Sequence, residues 1–188
     1  STVKINDSTT NGPNLTSRQG FGTGMASLGD LDGDGVNDLA VGATEGDDPW
    51  GADWSSANGA VFIMFMNTDG SVKSTVTIDK DTTNGPGSSA LIGYGTEVEN
   101  LGDLDGDGDL DLYVGDDAGN IQLFTNTNGV FASSTKLQAA GIDIAVGYYS
   151  APTFADVDKD GDFDLYVGNK RGNVTFYENT SVINGISF

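Results

Sequence analysis

The sequence predicts an all-β fold of three tandem repeats, each a four-stranded antiparallel β-meander. Three observations lead to this prediction. A nine-residue acidic motif occurs three times, as DLDGDGVND at 30–38, DLDGDGDLD at 103–111 and DVDKDGDFD at 156–164. Each copy is followed by short runs rich in Val, Ile, Phe and Tyr and bounded by Gly, Asn and Asp, which is typical of strands joined by turns. No stretch has convincing helical periodicity.

The spacing of the motifs defines the repeats. The first two motifs are 73 residues apart, and the same offset relates Phe21-Gly22-Thr23 to Tyr94-Gly95-Thr96. The second and third motifs are 53 residues apart, so the third repeat is a shorter version of the second. We expect a single repeat domain over 1–188, with repeats at about 7–79, 80–138 and 139–188. Residues 1–6 match the end of repeat one and are predicted to form an outer strand.

Each repeat contains its strands in the same order. A first strand precedes the acidic loop, at 20–28, 93–101 and 149–155, and a second follows it directly as DLAVGA, DLYVGD or DLYVGN. The third strand is GAVFIMFM, NIQLFTN or NVTFYEN, and a fourth is expected at about 73–79 and 131–138. Such a meander is the unit of a β-propeller blade, but propellers usually need about 4–8 blades. Three repeats therefore predict part of a longer propeller, a compact non-propeller arrangement, or association of several copies.

Composition excludes several classes of protein. The chain has 188 residues, 28 Asp+Glu against 8 Lys+Arg, a net charge of -20, and neither Cys nor His. Ser-His and Cys-His catalysis, thiolate and imidazole metal sites, and disulfides are thereby excluded. The acidity argues against a nucleic-acid partner, because phosphates require Lys and Arg. The longest apolar run, 59–66, is much shorter than the roughly 20 residues of a membrane span, so none is expected.

The acidic motif has the pattern of a cation site. D-x-D-x-D-G-x-x-D places carboxylates at positions 1, 3, 5 and 9 and a glycine at position 6, where the chain must turn sharply. Hard oxygen ligands from one tight loop suit Ca²⁺, which accepts 6–8 oxygens. An EF-hand instead has a glutamate at position 12 and helical flanks. The pattern therefore predicts β-hairpin calcium loops and about three Ca²⁺ ions.

The predicted ligands are the aspartate carboxylates and the backbone carbonyl at position 7 of each loop. They are Asp30, Asp32, Asp34, Val36 and Asp38 in the first loop; Asp103, Asp105, Asp107, Asp109 and Asp111 in the second; and Asp156, Asp158, Asp160, Asp162 and Asp164 in the third. The alternative is that these aspartates only form Asx turns. However, three aligned copies with Lys159 as the one cation inside any of them would repel strongly without a metal.

At these residues the sequence resembles the FG-GAP repeat of integrin α-subunit β-propellers and related calcium-loop repeats of bacterial surface proteins. Phe21-Gly22, the run DLDGDGVNDLAVGA and Gly59 follow that pattern, with Thr44 where the family usually has proline. Repeat two keeps Tyr94-Gly95, whereas repeat three has Pro152-Thr153-Phe154 instead of Phe-Gly. The resemblance implies a secreted or cell-surface protein, calcium in the loop between the first two strands of each blade, and adhesion or ligand binding.

A ligand site is predicted in repeat one. Residues 44–58 replace a turn of a few residues in the other repeats and carry both tryptophans of the chain. The candidate surface for a sugar or peptide combines aromatic and carboxylate side chains, namely Asp47, Asp48, Trp50, Asp53 and Trp54. The alternative is a loop packed over its own aromatic side chains.

Two functions follow from these expectations. The first is a calcium-stabilised extracellular binding or adhesion module for a protein or glycan ligand. The alternative is a structural subunit of a self-assembling filament or ring, in which open repeat edges or the tail 182–188 join neighbouring copies. An enzyme, such as a polysaccharide lyase or hydrolase, is not expected, because the clearest carboxylate clusters belong to the metal loops.

Overall fold

The computed structural model describes residues 2–15, 19–45, 59–82, 85, 93–100, 102–103, 107–116, 118–131, 134–148, 150–180 and 188. Within these ranges the chain forms fifteen β-strands and no helix. All strand pairings there are antiparallel. The predicted all-β class is confirmed.

The first sheet is a four-stranded meander in the order β1, β2, β3, β4. Its strands are β1 (Gln19–Ser27), β2 (Leu39–Glu45), β3 (Ala60–Met66) and β4 (Val72–Ile78). All but one residue of β3 is buried, because both faces of this strand are covered, and its sequence is accordingly an unbroken apolar run. A tight turn joins β3 to β4, where the Gly70 N–H donates to the Asn67 carbonyl at 2.9 Å.

The second sheet also has four strands, but an extra hairpin separates its third and fourth strands. In chain order its strands are β5 (Val98–Asn100), β6 (Leu112–Gly115), β7 (Ile121–Phe124) and β10 (Thr135–Lys136). The inserted hairpin consists of β8 (Asn126–Thr127) and β9 (Val130–Phe131). The sequence reasoning did not predict this hairpin, because four residues of paired strand give too short a pattern to recognise.

The third sheet has three strands in the part of the chain that the structure describes. They are β13 (Ala151–Ala155), β14 (Asp164–Gly168) and β15 (Val174–Tyr177), preceded by a small hairpin of β11 (Gln138–Ala139) and β12 (Ile142–Asp143). The tail predicted either as a fourth strand or as a donated strand lies outside the described residues except for Phe188. The Phe188 carbonyl accepts from the Ala140 N–H at 2.7 Å, and its ring packs against Tyr177.

The chain does not begin as predicted. An outer strand is expected at 1–6, but the described residues 2–5 join no sheet. Two successive turns follow, with the Thr9 N–H donating to the Asn6 carbonyl and the Gly12 N–H to the Thr9 carbonyl. The Asn6 side chain also accepts from the Ser8 N–H at 3.0 Å. Such local hydrogen bonds compete with a strand ladder, which gives a physical reason for the difference.

The three sheets are stacked face to face in chain order. One apolar cluster joins the first two sheets and includes Ala40, Val61, Ile63, Leu112, Val114 and Phe124. A second cluster joins the second and third sheets and includes Tyr113, Ile121, Leu165 and Val167. Because side chains alternate along a strand, the opposite face of the first sheet carries a third cluster that includes Val41, Phe62 and Met64, covered by Ile5 and Leu15. This stacking is consistent with neighbouring blades of a propeller.

Glycines allow the first two sheets to approach closely. A Cβ atom at Gly42 would lie 1.9 Å from the Gly95 carbonyl oxygen, and one at Gly59 would lie 1.7 Å from that of Tyr94. Gly95 itself has a φ of 86°, a conformation that favours glycine. Tyr94-Gly95 of the second repeat therefore packs against Gly42 and Gly59 of the first, which explains why glycine occupies these positions.

The first strands of the three sheets lie side by side. The Asn100 side chain of β5 donates to the Ser27 carbonyl of β1 at 2.6 Å. On its other side, β5 accepts at Glu99 Oε1 from the Thr153 hydroxyl of β13 at 3.2 Å. Adjacent first strands are typical of the inner strands of propeller blades. The acidic loops that follow these strands are thereby placed at one end of the stack.

Candidate metal centre

Each acidic loop connects the first and second strands of its sheet. The loop at 30–38 lies between β1 and β2, the loop at 103–111 between β5 and β6, and the loop at 156–164 between β13 and β14. We call them loop one, loop two and loop three. In a meander the connection between the third and fourth strands returns to the same end of the sheet. Side chains near that connection can therefore reach the loop.

Loop one is closed by its own first aspartate. The two carboxylate oxygens of Asp30 accept from the N–H groups of Asp34 and Gly35, at 2.9 and 2.8 Å. At the base of the loop, the Leu28 N–H donates to the Asp38 carbonyl and the Asp38 N–H to the Gly29 carbonyl. The loop backbone is thus folded so that its carboxylates turn inward.

Three carboxylates of loop one converge. One oxygen from each of Asp30, Asp32 and Asp38 lies within 4.8 Å of the others. Two oxygens on opposite sides of a Ca²⁺ ion, each at its usual distance of about 2.4 Å, would be separated by about that much. The donor set is made of hard oxygens, as Ca²⁺ requires. The residues present therefore fit a calcium ion.

A lysine outside the loop pairs with two of the carboxylates of loop one. Lys73, in β4, donates from Nζ to Asp32 Oδ2 at 2.6 Å and to Asp34 Oδ2 at 2.7 Å. The hydrogen bond from Lys73, together with one from the Val36 N–H, lowers the pKa of Asp34. The two carboxylates in turn raise the pKa of Lys73. Sequence reasoning missed this lysine, although its position near the start of a fourth strand places it at the end of the sheet where the loop lies.

The ninth residue of each loop is buried and has a structural role. Asp38, Asp111 and Asp164 are only 1%, 0% and 2% exposed. In each case Oδ1 accepts a backbone N–H at or just beyond the end of the third strand, from Met66, Asn126 and Asn179 at 2.8, 2.8 and 3.0 Å. Burial raises the pKa of Asp38, while the N–H groups of Met66 and Leu31 act in the opposite direction. The ninth aspartate therefore ties the loop to the sheet, in addition to its predicted role as a ligand.

Loop three also brings three carboxylates together. Single oxygens of Asp156, Asp158 and Asp160 lie within 4.8 Å of one another. Asx-type hydrogen bonds run from the Asp160 N–H to Asp158 Oδ1 and from the Asp162 N–H to Asp160 Oδ1, both at 3.2 Å. The predicted alternative of Asx turns is therefore present, but the turns are compatible with convergence of the carboxylates. They use one oxygen of each side chain and orient the loop.

Loop two differs from the other two. Asp105 lies outside the described residues, and among those described no group of three acidic side chains converges in this loop. Asp107 accepts from the Thr127 hydroxyl at 3.1 Å, and Asp109 accepts from the Asn128 N–H at 2.6 Å. The β8–β9 hairpin is thus bonded to loop two. The backbone carbonyls of Val36, Asp109 and Asp162 remain predicted metal ligands.

The predicted ligand surface of repeat one cannot be placed. Asp47, Asp48, Trp50, Asp53 and Trp54 all lie outside the described residues. No helix in the described part of the chain has the length and apolar character needed to cross a membrane.

Comparison with known proteins identifies the type of repeat. The FG-GAP-like repeat family matches residues 103–167, from the start of loop two to β14. Residues 103–167 thus match an FG-GAP-like repeat, and the resemblance noted from the sequence is confirmed.

Several integrin α chains are similar to this protein. It is 32% identical to Integrin alpha-6 of Homo sapiens over 168 residues, which is 87% of this chain. It is 40% identical to Integrin alpha-5 of Xenopus laevis over 50% of the chain, and 33% identical to Integrin alpha-PS5 of Drosophila melanogaster over 54%. The matched regions cover only 14%, 8% and 9% of those relatives. The similarity therefore concerns their repeats and not their whole length.

Proposed function

We propose that this chain is a calcium-stabilised extracellular binding module of the adhesion type. One observation carries the proposal: loops one and three, at equivalent positions of separate sheets, each converge three carboxylates within a sphere that suits one divalent cation. Convergence of three carboxylates in both loops is expected for cation sites and is not required for a turn. Calcium binding to the folded chain would stabilise it by mass action.

An extracellular location is part of the proposal. Calcium loops of modest affinity, about 10⁻⁴–10⁻³ M, function outside cells, where calcium is abundant. Similarity to integrin α chains over most of the sequence supports the same location. The module would act by binding a protein or glycan ligand and not by catalysis, because its clustered carboxylates are engaged in the loops.

Calcium titration tests the metal sites. In wild-type protein freed of metal by EDTA, added calcium should raise the melting temperature, and calorimetry should count about three ions per chain. Magnesium at the same concentration should act more weakly, since it demands a tighter and more regular shell. If the melting temperature is the same in EDTA and in calcium, the proposal of calcium stabilisation is wrong.

The ligand surface can be tested through the tryptophans. Both tryptophans of the chain lie in the 44–58 segment, so their fluorescence reports on this segment alone. We expect one member of a panel of glycans and peptides to quench or shift that fluorescence, and a Trp50→Ala variant to lose binding with unchanged melting temperature. If the panel leaves the fluorescence unchanged while the same ligands bind the protein by calorimetry, the ligand site lies elsewhere.

The alternative function is a subunit of a self-assembling structure. It is favoured by the outer face of the third sheet, where Val174 is 70% and Phe176 47% exposed, and where the Phe176 ring lies beside the ring of Tyr166. Neighbouring sheets of this chain cover comparable faces with another sheet. Light scattering at increasing protein concentration tests this function, and a Phe176→Ser variant should reduce any assembly. A constant mass of 19.4 kDa at all concentrations, with and without calcium, would rule it out.

A further inference from the structure

The environment of loop one differs from that of loop three in one respect. In loop one, the ammonium group of Lys73 bridges the carboxylates at motif positions 3 and 5, Asp32 and Asp34, at 2.6 and 2.7 Å. In loop three, the converging residues Asp156, Asp158 and Asp160 form no ion pair among the described residues. Although Lys159 lies within loop three, only in loop one are converging carboxylates of the described residues paired with a lysine.

Different positions of the motif converge in the two loops. In loop three, the residues at positions 1, 3 and 5 come together. In loop one, the carboxylate at position 5, Asp34, is not in the converging set, and the carboxylate at position 9, Asp38, takes its place. Both oxygens of Asp34 are engaged, Oδ1 by the Val36 N–H at 2.9 Å and Oδ2 by Lys73. Both oxygens of Asp34 are thus hydrogen-bonded in loop one, whereas the equivalent Asp160 belongs to the converging set of loop three.

We propose that Lys73 is an intrinsic counter-cation of loop one, which keeps this loop folded without calcium and makes its affinity for calcium lower than it would otherwise be. The inference rests on the proposed calcium binding. A calcium ion entering loop one must displace the ammonium group from Asp32 and Asp34, because like charges repel at such distances. In the described part of loop three, Lys159 pairs with none of the converging carboxylates, so this loop fills first.

Two lysine variants separate this effect from a general change of charge. Lys73→Met removes the counter-cation and keeps the length of the side chain. Lys80→Met is the matched control, because it removes one positive charge just beyond the other end of β4, where Lys80 pairs with Asp81 at 2.6 Å and not with a loop. The two variants have equal net charge, so any difference between them comes from loop one.

Two-dimensional NMR of the ¹⁵N-labelled full chain measures each loop separately. The amides of Gly35 and Gly161, the sixth residues of loops one and three, are followed during a calcium titration. Gly35 is a direct reporter, because its N–H donates to Asp30. In Lys73→Met, half-saturation at Gly35 should fall by about tenfold, the combined effect expected of two exposed ion pairs. Half-saturation at Gly161 should not change, and Lys80→Met should change neither.

The possible results distinguish the inference from the proposal beneath it. If neither glycine amide moves with calcium in any variant, calcium binding itself is wrong. If both amides move but half-saturation at Gly35 is the same in wild type and Lys73→Met, only the role of Lys73 is wrong.

Thermal melting provides a second measurement. The stabilisation by calcium should be larger for Lys73→Met than for Lys80→Met, since loop one of the former has lost its own cation. A Lys73→Met protein that folds only in calcium supports the inference. One that remains unfolded at saturating calcium overturns it, because Lys73 would then be needed for packing and not as a counter-cation.

Discussion

Replacement of the buried ninth aspartate should destabilise the fold even in the absence of calcium. In loop three, the oxygens of Asp164 accept from the N–H groups of Asn179 at 3.0 Å and Val157 at 3.3 Å. Asp164→Asn retains one acceptor oxygen and turns an amide NH₂ toward the other N–H. Loss of a buried acceptor costs about 1–3 kcal/mol. For a chain of this size, a loss of about 2 kcal/mol lowers the melting temperature by about 4–8 °C.

The assay is urea unfolding in EDTA, with Asp158→Asn as the matched control. Asp158 belongs to the converging carboxylates of the same loop but is exposed. In EDTA, Asp158→Asn should change the free energy of unfolding by less than about 0.5 kcal/mol. In calcium, both variants should lose part of the stabilisation by calcium. If Asp164→Asn is as stable as Asp158→Asn in EDTA, the structural role assigned to the ninth aspartate is wrong.

Three further predictions concern the packing of the sheets and the inner strands. Tyr94 is fully buried and its hydroxyl has no hydrogen-bond partner among the described residues. Tyr94→Phe should therefore raise the free energy of unfolding, measured by urea unfolding, by about 1 kcal/mol. A decrease would show that the hydroxyl is hydrogen-bonded. Gly42→Ala should lower the melting temperature markedly, because its Cβ would lie 1.9 Å from the Gly95 carbonyl oxygen. Gly168→Ala, at the same motif position, should be tolerated, because its Cβ would lie 3.7 Å from the nearest atom, the Ala151 carbonyl oxygen. Equal effects of the two would contradict the stacking described above. Burial, with a smaller contribution from a neighbouring glutamate, raises the pKa of Glu97 above its ordinary value of 4.5, so stability due to its protonated form is lost as pH rises through the folded-state pKa. Glu97→Gln should therefore be more stable than wild type at pH 7 and equal to it below pH 4.5, as measured by thermal melting across that range; a constant difference would show that Glu97 does not titrate differently in the folded state.

The features predicted successfully from the sequence are those encoded by local patterns. Short runs of β-branched and aromatic residues between turn residues predicted the all-β class. The 73-residue offset aligns Phe21-Gly22 with Tyr94-Gly95, and these pairs lie in or beside separate four-stranded sheets. The D-x-D-x-D-G-x-x-D spacing predicted a set of carboxylates, three of which converge in each of loops one and three, and their role as metal ligands remains a prediction.

The features that were missed depend on contacts between distant residues. Lys73 is 39 residues from Asp34, and only the pairing of β3 with β4 brings it to loop one. The burial of Asp38 likewise depends on Met66, which is 28 residues away. Positions 1 and 9 of the motif cannot be distinguished by residue type, since both are aspartates. Their different roles appear only when the end of the third strand supplies an N–H group to the ninth.

The unequal surroundings of the three Val-Gly dipeptides have a consequence for cooperativity. Gly42 and Gly115 are each pressed against the backbone of the following repeat, whereas Gly168 is in ordinary contact with its own sheet. In a linear array, the stability of each unit is the sum of its own term and its coupling to its neighbours. Among the described residues, the third sheet is coupled on one face and the second on both. Amide hydrogens of β14 and β15 should therefore exchange with solvent at a lower free energy of opening than those of β6 and β7. The third sheet should unfold before the other two.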